Sequence, residues 1–432
     1  MYRIAWKIFW RLRRNLRRSA IEVQEESWQE FRRLVTYAYH HVPLYKKLYD
    51  ASGFHPDRLK EPADIRRIPC TDKALFQQTS LQERIADDCQ VSSLVRRRTS
   101  GSTGSPLDVY YSAQDRIYRT LLHLRILFHN GMRLRDRMAH ISDSRHAIDE
   151  RYIFQKLGFL PKDFVYAADP VEKQLQELLS IQPAVIYSYA SSMVLLAAEI
   201  EKQASLPIQP RLVFTTGELL TEADRNRINR AFNVELKDIY GLVEMGDVAW
   251  QCPQVSGYHL NIDSFYAEVG ESEKCAEGIS TGPLILTNLH SYAMPFIRYR
   301  VGDVVSLPEP IQREGYSSRC ACGCDFPRIR VLQGRADDWL YSADGRRISP
   351  LIFVVASIPG VQQYRMIQET YDRLVVQILP GQGFCRDTLK KVADHVLQVM
   401  GPEIKVEAVQ VDSLPKETSG KMRRVISKIA GG

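Results

Sequence analysis

The chain reads as an α/β protein with a large, layered N-terminal body of mainly parallel sheets and a small α+β unit at its C-terminus. Three observations predict this. From Leu121 onward helical stretches alternate with short β-branched runs, such as Ala184-Val185-Ile186-Tyr187 and Leu212-Val213-Phe214-Thr215, each closing in small polar residues. That is the pattern of parallel strands whose C-terminal ends present loops to a ligand. From Phe265 to about Leu307 the pattern turns β-rich, with Leu284-Ile285-Leu286-Thr287 and Phe296-Ile297-Arg298-Tyr299-Arg300 as strands. After Gly334-Arg335-Ala336-Asp337-Asp338 the chain restarts. Leu374 to Leu379 reads as a strand, Arg386 to Met400 as a helix with apolar Leu389, Val392, Val396 and Val399, and Lys405 to Val411 as another strand.

The elements follow in order. On a helical wheel residues 1–20 place Tyr2, Ala5, Trp6, Phe9, Leu12 and Leu16 on one face and Arg3, Lys7, Arg11, Arg14 and Arg18 on the other, a basic amphipathic helix. Two fates stay open for it: packing on its own body, the commoner one, or lying on anionic lipid with each cation adding about 1 kcal/mol. From Gln24 to about Asp115 helical stretches are punctuated by His55-Pro56-Asp57 and Glu61-Pro62. The α/β body then runs to residue 336, and residues 337–432 form the last unit.

Charge and cysteine usage bound the function. Lys plus Arg total 58 against 51 Asp plus Glu, a net +7, but seven of those positives precede the first acid, Glu22. The rest of the chain is formally neutral, so no basic body points to nucleic acid. Eight cysteines in 432 residues are too few and too scattered for a disulfide framework, which implies a reducing, cytoplasmic setting. No apolar run of about 18 residues occurs, and the first twenty residues lack the uncharged core of a secretory signal. The expected location is therefore the cytoplasm, at the inner face of a membrane if the first helix binds lipid.

The strongest local motif is Thr99-Ser100-Gly101-Ser102-Thr103-Gly104-Ser105-Pro106, ahead of the strand-like Leu107-Asp108-Val109-Tyr110-Tyr111. Two glycines free the backbone to curl, and hydroxyls and N–H groups supply donors, so the segment suits phosphate oxygens. It is not the P-loop of NTP hydrolases, because neither glycine is followed by Lys and a strand follows in place of a helix. A flexible Ser/Gly linker is the alternative, opposed by the alternating Leu107, Val109 and Tyr111. A second constellation is Cys320-x-Cys322-Gly-Cys324 with Cys252 and His259 upstream. These are the ligand types of structural zinc, although Cys-x-Cys is tighter than the usual spacing, and reduced buried cysteines are the alternative.

Five further segments follow the hydroxyl-rich loop: Thr215-Thr216-Gly217-Glu218, Asp238-Ile239-Tyr240-Gly241-Leu242-Val243-Glu244, Arg300-Val301-Gly302-Asp303, Gly334 to Asp338, and Leu414-Pro415-Lys416-Glu417-Thr418-Ser419-Gly420-Lys421-Met422-Arg423-Arg424. In this order they resemble the signature series of the adenylate-forming ligases, most of all the phenylacetate-CoA ligase branch with its capsular-polysaccharide ligase-like members. The resemblance covers roughly residues 24–430.

Carried over, the resemblance implies that Thr99, Ser100, Gly101, Ser102, Thr103 and Gly104 hold the phosphates of ATP. It puts Glu218 beside the adenine, Tyr240 against it within the Asp238 to Gly241 segment, Asp303 on the ribose and Arg335 near ribose or phosphate. Glu244 would coordinate Mg²⁺. Lys421, on the mobile small domain, would reach the α-phosphate and the substrate carboxylate, and Asp337 would be the hinge. Attack of a carboxylate on the α-phosphorus gathers negative charge on oxygen, so a cation, backbone donors and a mobile positive charge suit it. Some relatives hold zinc at the matching Cys and His segments, which implies Cys252, His259, Cys320 and Cys322 as ligands and leaves Cys324 spare. Tyr189 and Ser191, in Tyr187-Ser188-Tyr189-Ala190-Ser191-Ser192, fall where the family's acyl pocket begins. Two positions depart from the family: Leu107 follows Pro106 where Lys is common, and Asp344-Gly345-Arg346-Arg347 holds a single glycine.

The expected activity is activation of a small carboxylic acid, aryl or hydroxy, as an acyl-adenylate, with transfer to a thiol, coenzyme A. The expected partners are that acid, a membrane surface at residues 1–20 and a second copy of the chain. Two alternatives are a ligase acting on an amine, sugar or coenzyme hydroxyl, and a non-catalytic nucleotide-binding protein on a membrane. His123, His129, His140 and His146 read as structural or surface residues, because a carboxylate is already ionised at pH 7 and needs no base.

Overall fold

The computed structural model describes residues 2–99, 106–142, 155, 157–202, 208–254, 257–270, 273–275, 279–308, 320–335, 340–345, 347–348, 353, 355–415 and 422–429. They form two compact units, residues 1–130 with 239–332 and residues 131–238 with 333–432.

The first unit opens with the helix Tyr2–Asn15. Its inner side buries Leu12, and Leu16 just beyond its end is buried too, while Phe9 meets Phe128 edge-on at 5.9 Å. The helix packs on Ala113–His129, which starts in a reciprocal cap between Ser112 and Asp115. One buried network fixes its rotation. Arg125 donates to Asp263 at 2.5 Å, to Asn261 at 2.7 Å and to the Leu12 carbonyl at 3.2 Å, and Asn15 donates to Asp263 at 3.2 Å. Because Asn15 is drawn inward, the wheel turns from the expected setting. Half-buried Ile8 replaces Trp6 on the packed side, and Trp6 stands 65% exposed among the cations.

Next, Ala20–His41, capped by Ser19, buries Val23, Trp28, Phe31, Leu34, Val35 and Ala38 at three-and-four spacing. The ribbon Val95–Arg98 with Asp108–Tyr111 is antiparallel. The sheet of this unit is antiparallel where Gly246–Trp250 pairs with Ile239 to Leu242 and with Tyr258–Leu260, and where Ile279–Asn288 pairs with Phe265–Val269 and Tyr299–Pro308. The strand expected from Phe296 starts three residues later, at Tyr299. The delay has a cause: Arg298 sits at φ +46, its N–H on Thr287 Oγ1 and its guanidinium on Glu268 at 2.9 and 3.0 Å.

The second unit carries the predicted parallel sheet. Lys162–Tyr166, Met138–Ser142, Val185–Tyr189 and Leu212–Thr216 lie side by side and parallel. Val171–Ile181, Ala190–Ile200 and Glu222–Phe232 supply Leu178, Met193, Leu196, Ala197, Ile228 and Phe232 to the core over it. The C-terminal piece is the α+β arrangement expected. Val361–Thr370 and Arg373–Pro380 are antiparallel, with Val425–Ser427 and Lys405–Gln410 added in parallel at either side. Arg386–Met400 buries Val392, Val396 and Met400 against it, with Leu389 and Val399 half-buried at its edge. Among the described residues no helix is long and apolar enough to cross a membrane.

Candidate active site and metal knuckle

In the first unit the expected motifs cluster around two turns. Thr99 is buried and pairs with Leu107 twice: its N–H donates to the Leu107 carbonyl at 2.9 Å, and its hydroxyl accepts the Leu107 N–H at 2.8 Å. The neck of the hydroxyl-rich segment is therefore pinned, and the Thr99 O–H proton stays available to donate. Ser100, Gly101, Ser102, Thr103 and Gly104 lie outside the described residues.

The strand Lys237–Leu242 turns after Leu242 into Gly246–Trp250. A side chain on Gly241 would lie 3.0 Å from the Gly246 carbonyl, a tight contact that favours glycine in this close turn. The turn buries Glu244, which accepts from the Tyr299 hydroxyl at 3.3 Å. Arg119 donates to the carbonyls of Val243 at 2.9 Å and Glu244 at 3.3 Å, and its guanidinium stacks over Tyr111 at 4.4 Å. Tyr111 in turn donates its hydroxyl to the Val243 carbonyl. The carboxylate expected to hold magnesium thus sits on a backbone clamped from below by an arginine and a tyrosine. A buried acid meeting one weak hydroxyl donor suits a hard cation. Tyr240 donates its hydroxyl to Asp303, which is buried, so the residues expected at adenine and ribose meet each other.

In the second unit Glu218 reaches the first turn of Ala190–Ile200. Its carboxylate accepts the Ser191 N–H at 2.7 Å and the Ser191 hydroxyl at 2.9 Å, satisfying a helix N–H that has no partner within the helix. It also accepts the N–H of Met422, the residue after Lys421, at 2.8 Å. Gln363 donates to the Ser191 carbonyl at 3.1 Å, and Arg424 forms a buried ion pair with Asp224. Asp238, also buried, accepts from Thr215 at 2.6 Å. Tyr189 is buried at the end of its strand. Arg335 ends the strand Arg328–Arg335. Asp337 and Lys421 lie outside the described residues, as does the side chain of Arg335.

The four expected zinc ligands converge. One ligand atom from each of Cys252, His259, Cys320 and Cys322 lies within 4.8 Å of the others, with Cys252 Sγ and Cys320 Sγ 3.6 Å apart and Cys322 Sγ and His259 Nε2 3.5 Å apart. Tetrahedral zinc with Zn–S bonds of about 2.3 Å needs sulfurs about 3.8 Å apart and a sulfur–nitrogen pair about 3.6 Å apart, so the cage fits. The His259 Nδ1 donates to the Phe326 carbonyl at 3.1 Å, which turns Nε2 toward the thiols. The Cys-x-Cys spacing works because the turn folds back: Gly323, at φ +85, donates to the Cys320 carbonyl at 2.8 Å, and the Cys322 N–H points at Cys320 Sγ. Hydrogen bonding from Cys322 pulls the Cys252 thiol well below the ordinary thiol range, against desolvation and with help from His259. Cys324 is buried but stands outside the quartet.

The family model for the CapK C-terminal domain matches residues 340–428. The chain is 28% identical to a phenylacetate-coenzyme A ligase of Aromatoleum evansii, over 95% of this chain and 94% of the relative. It is 29% identical to the phenylacetate-coenzyme A ligase of Escherichia coli K12, over 74% of this chain and 73% of that one. A crystal structure of 2-hydroxyisobutyryl-CoA ligase in the postadenylation state superposes with a TM-score of 0.78 at 21% identity, covering 96% of this chain and 91% of that chain. The chain is thus similar over nearly its whole length to phenylacetate-coenzyme A ligases, shares the fold of an acyl-CoA ligase and carries a CapK C-terminal domain. Several contacts around these motifs have no signature in the sequence. Tyr299 and Arg119 carry no motif signal of their own. Asp224 could be read only as the cap partner of Thr221, and Arg424 only as part of the closing basic run. His123, expected to be structural, accordingly pairs with Asp247 at 2.7 Å, three residues past Glu244.

Proposed function

We propose that this protein activates a small aryl or hydroxy carboxylic acid with ATP, releasing pyrophosphate, and then passes the acyl group from the adenylate to the thiol of coenzyme A, releasing AMP. The observation that carries this reading is the likeness to phenylacetate-CoA ligases over 95% of the chain, with the motif residues of each unit brought into contact.

An oxygen of the ionised acid attacks the α-phosphorus of ATP, the bond to the bridging oxygen breaks, and pyrophosphate leaves with the electron pair. No base is required at neutral pH. Tyr240, its hydroxyl anchored on Asp303, would offer a fixed ring to the adenine, and Asp303 would bond the ribose. Glu244 would hold Mg²⁺, which offsets charge on the phosphate oxygens. Thr99 and the loop after it would donate to those oxygens. Lys421 would bring its ammonium to the α-phosphate, and the Met422 N–H on Glu218 supports a seat for that segment beside the adenine. Arg335 would assist at ribose or phosphate, and rotation about Asp337 would exchange the Lys421 face for one that admits the thiol. Tyr189 would wall the acyl pocket, with Ser191 holding Glu218 at its edge. Cys252, His259, Cys320 and Cys322 would hold Zn²⁺ as a structural clip away from the chemistry.

Pyrophosphate release from a panel of aryl and hydroxy acids, with and without coenzyme A, tests the reading. The expected outcome is acid-dependent pyrophosphate and an acyl-CoA formed only when the thiol is present. ATP binding by calorimetry with no pyrophosphate from any acid contradicts it. A product formed on an amine or sugar without thiol moves the acceptor to the alternative named above.

A further inference from the structure

The N-terminal helix has two faces, and among the described residues only one is packed. At about 100° per residue, Arg3, Trp6, Lys7, Trp10, Arg13 and Arg14 fall within an arc of about 120°. All six are exposed, Trp6 at 65% and Trp10 at 49%. The two indoles meet edge-on at 5.4 Å, and the Arg13 guanidinium lies 5.9 Å from the Trp10 ring. No acid precedes Glu22, and among the described residues Arg18 alone of this segment's cations forms an ion pair, with Glu22 and Glu26. The inner arc is held by the Arg125, Asp263 and Asn15 network, so the outer arc cannot roll inward without breaking buried hydrogen bonds.

We propose that this outer arc docks the protein on an anionic bilayer, lying flat with the indoles at the headgroup level and the cations on lipid phosphates. A soluble body has no use for two large exposed indoles, whereas tryptophan between arginines is stable at a membrane interface, where its ring is half in hydrocarbon and its N–H is wet. The unbroken positive charge selects an anionic leaflet over a zwitterionic one. A second observation points the same way. A cavity of about 810 Å³ opens beside the arc, with Trp10, Arg13, Arg14 and Arg17 on one side and Phe128 and His129 on the other. It gives a glycerophosphate headgroup a basic seat bounded by aromatic walls.

The test is sedimentation of the full chain with sucrose-loaded vesicles of phosphatidylcholine alone or mixed with phosphatidylglycerol. The protein is expected to pellet with the mixed vesicles, to shift its tryptophan emission to the blue, and to stay in solution with phosphatidylcholine alone. Two variants, Trp6→Ala with Trp10→Ala and Arg3→Glu with Lys7→Glu and Arg14→Glu, alter exposed side chains only. Each should retain the wild-type melting temperature and bind mixed vesicles at least tenfold more weakly, with the blue shift lost in the first. Failure of the wild type to pellet overturns the proposal, as does pelleting that neither variant weakens. Release by inorganic phosphate where sodium chloride of equal ionic strength has no effect reveals an isolated anion site and also overturns it. So does retention on an RNA oligonucleotide in the absence of vesicle binding.

Discussion

Glu218 accepts the N–H of Met422 at 2.8 Å through the same oxygen that takes the Ser191 hydroxyl at 2.9 Å. One carboxylate therefore ties the first turn of a helix to the residue that follows Lys421. A hydrogen bond to a charged group contributes about 1.5–3 kcal/mol, more than a neutral one. Replacing Glu218 by Gln leaves an acceptor for one donor and removes the charge. Acid-dependent ATP–pyrophosphate exchange should fall about 10- to 100-fold while the fold survives. Exchange rates of the variant, with its melting curve as control, check this.

Asp224 and Arg424 form the second tie, and both side chains are buried. Removing one partner of a buried pair leaves an unpaired charge and typically costs about 3–5 kcal/mol, whereas removing both costs less. Asp224→Asn should lower both the melting temperature and pyrophosphate exchange. Asp224→Asn combined with Arg424→Gln should recover part of the loss. A double-mutant cycle on stability measures the coupling, and additive losses would argue against the pair.

The metal knuckle predicts about one zinc ion per chain after chelator washing. Cys320→Ser should lose the metal and lower the melting temperature, because thiolates left without a cation repel within a cage less than 5 Å across. Cys324→Ser should keep it. Elemental analysis of the three proteins decides the ligand set.

His290 stacks on Tyr118 at 3.8 Å and its Nε2 donates to the Asp263 carbonyl at 3.0 Å. Burial pushes its pKa down to about 4 from an ordinary 6.5. Folding therefore favours the neutral ring: the benefit is complete above about pH 6.5 and is lost as pH falls toward 4. The contribution is on the order of 3 kcal/mol. Stability measured across this window should slope downward with acid, and His290→Phe should flatten the slope.

Much of this architecture was legible in the residues. The central parallel strand Val185–Tyr189 announced itself because both its faces are buried, which demands a continuous apolar run such as Val185-Ile186-Tyr187. The C-terminal helix was visible in its three-and-four spacing, and the Cys252, His259, Cys320 and Cys322 cluster in its residue types. The rotation of the first helix was not. It depends on Asn15 meeting Asp263, a contact 248 residues away in sequence that no local period encodes. The same is true of the Arg119 clamp under Glu244 and of the Asp224–Arg424 tie. Positive φ at Arg298 was equally hidden, since the Glu268 and Thr287 contacts that hold it come from other strands.

In the proposed reaction the Lys421 ammonium on the C-terminal piece completes the adenylation site. ATP–pyrophosphate exchange in Lys421→Ala, with nucleotide binding measured on the same sample, tests it most directly. ATP binding should be retained and exchange should fall at least about 100-fold, as expected when a transition-state charge contact is removed. Exchange at the wild-type rate in that variant would contradict it.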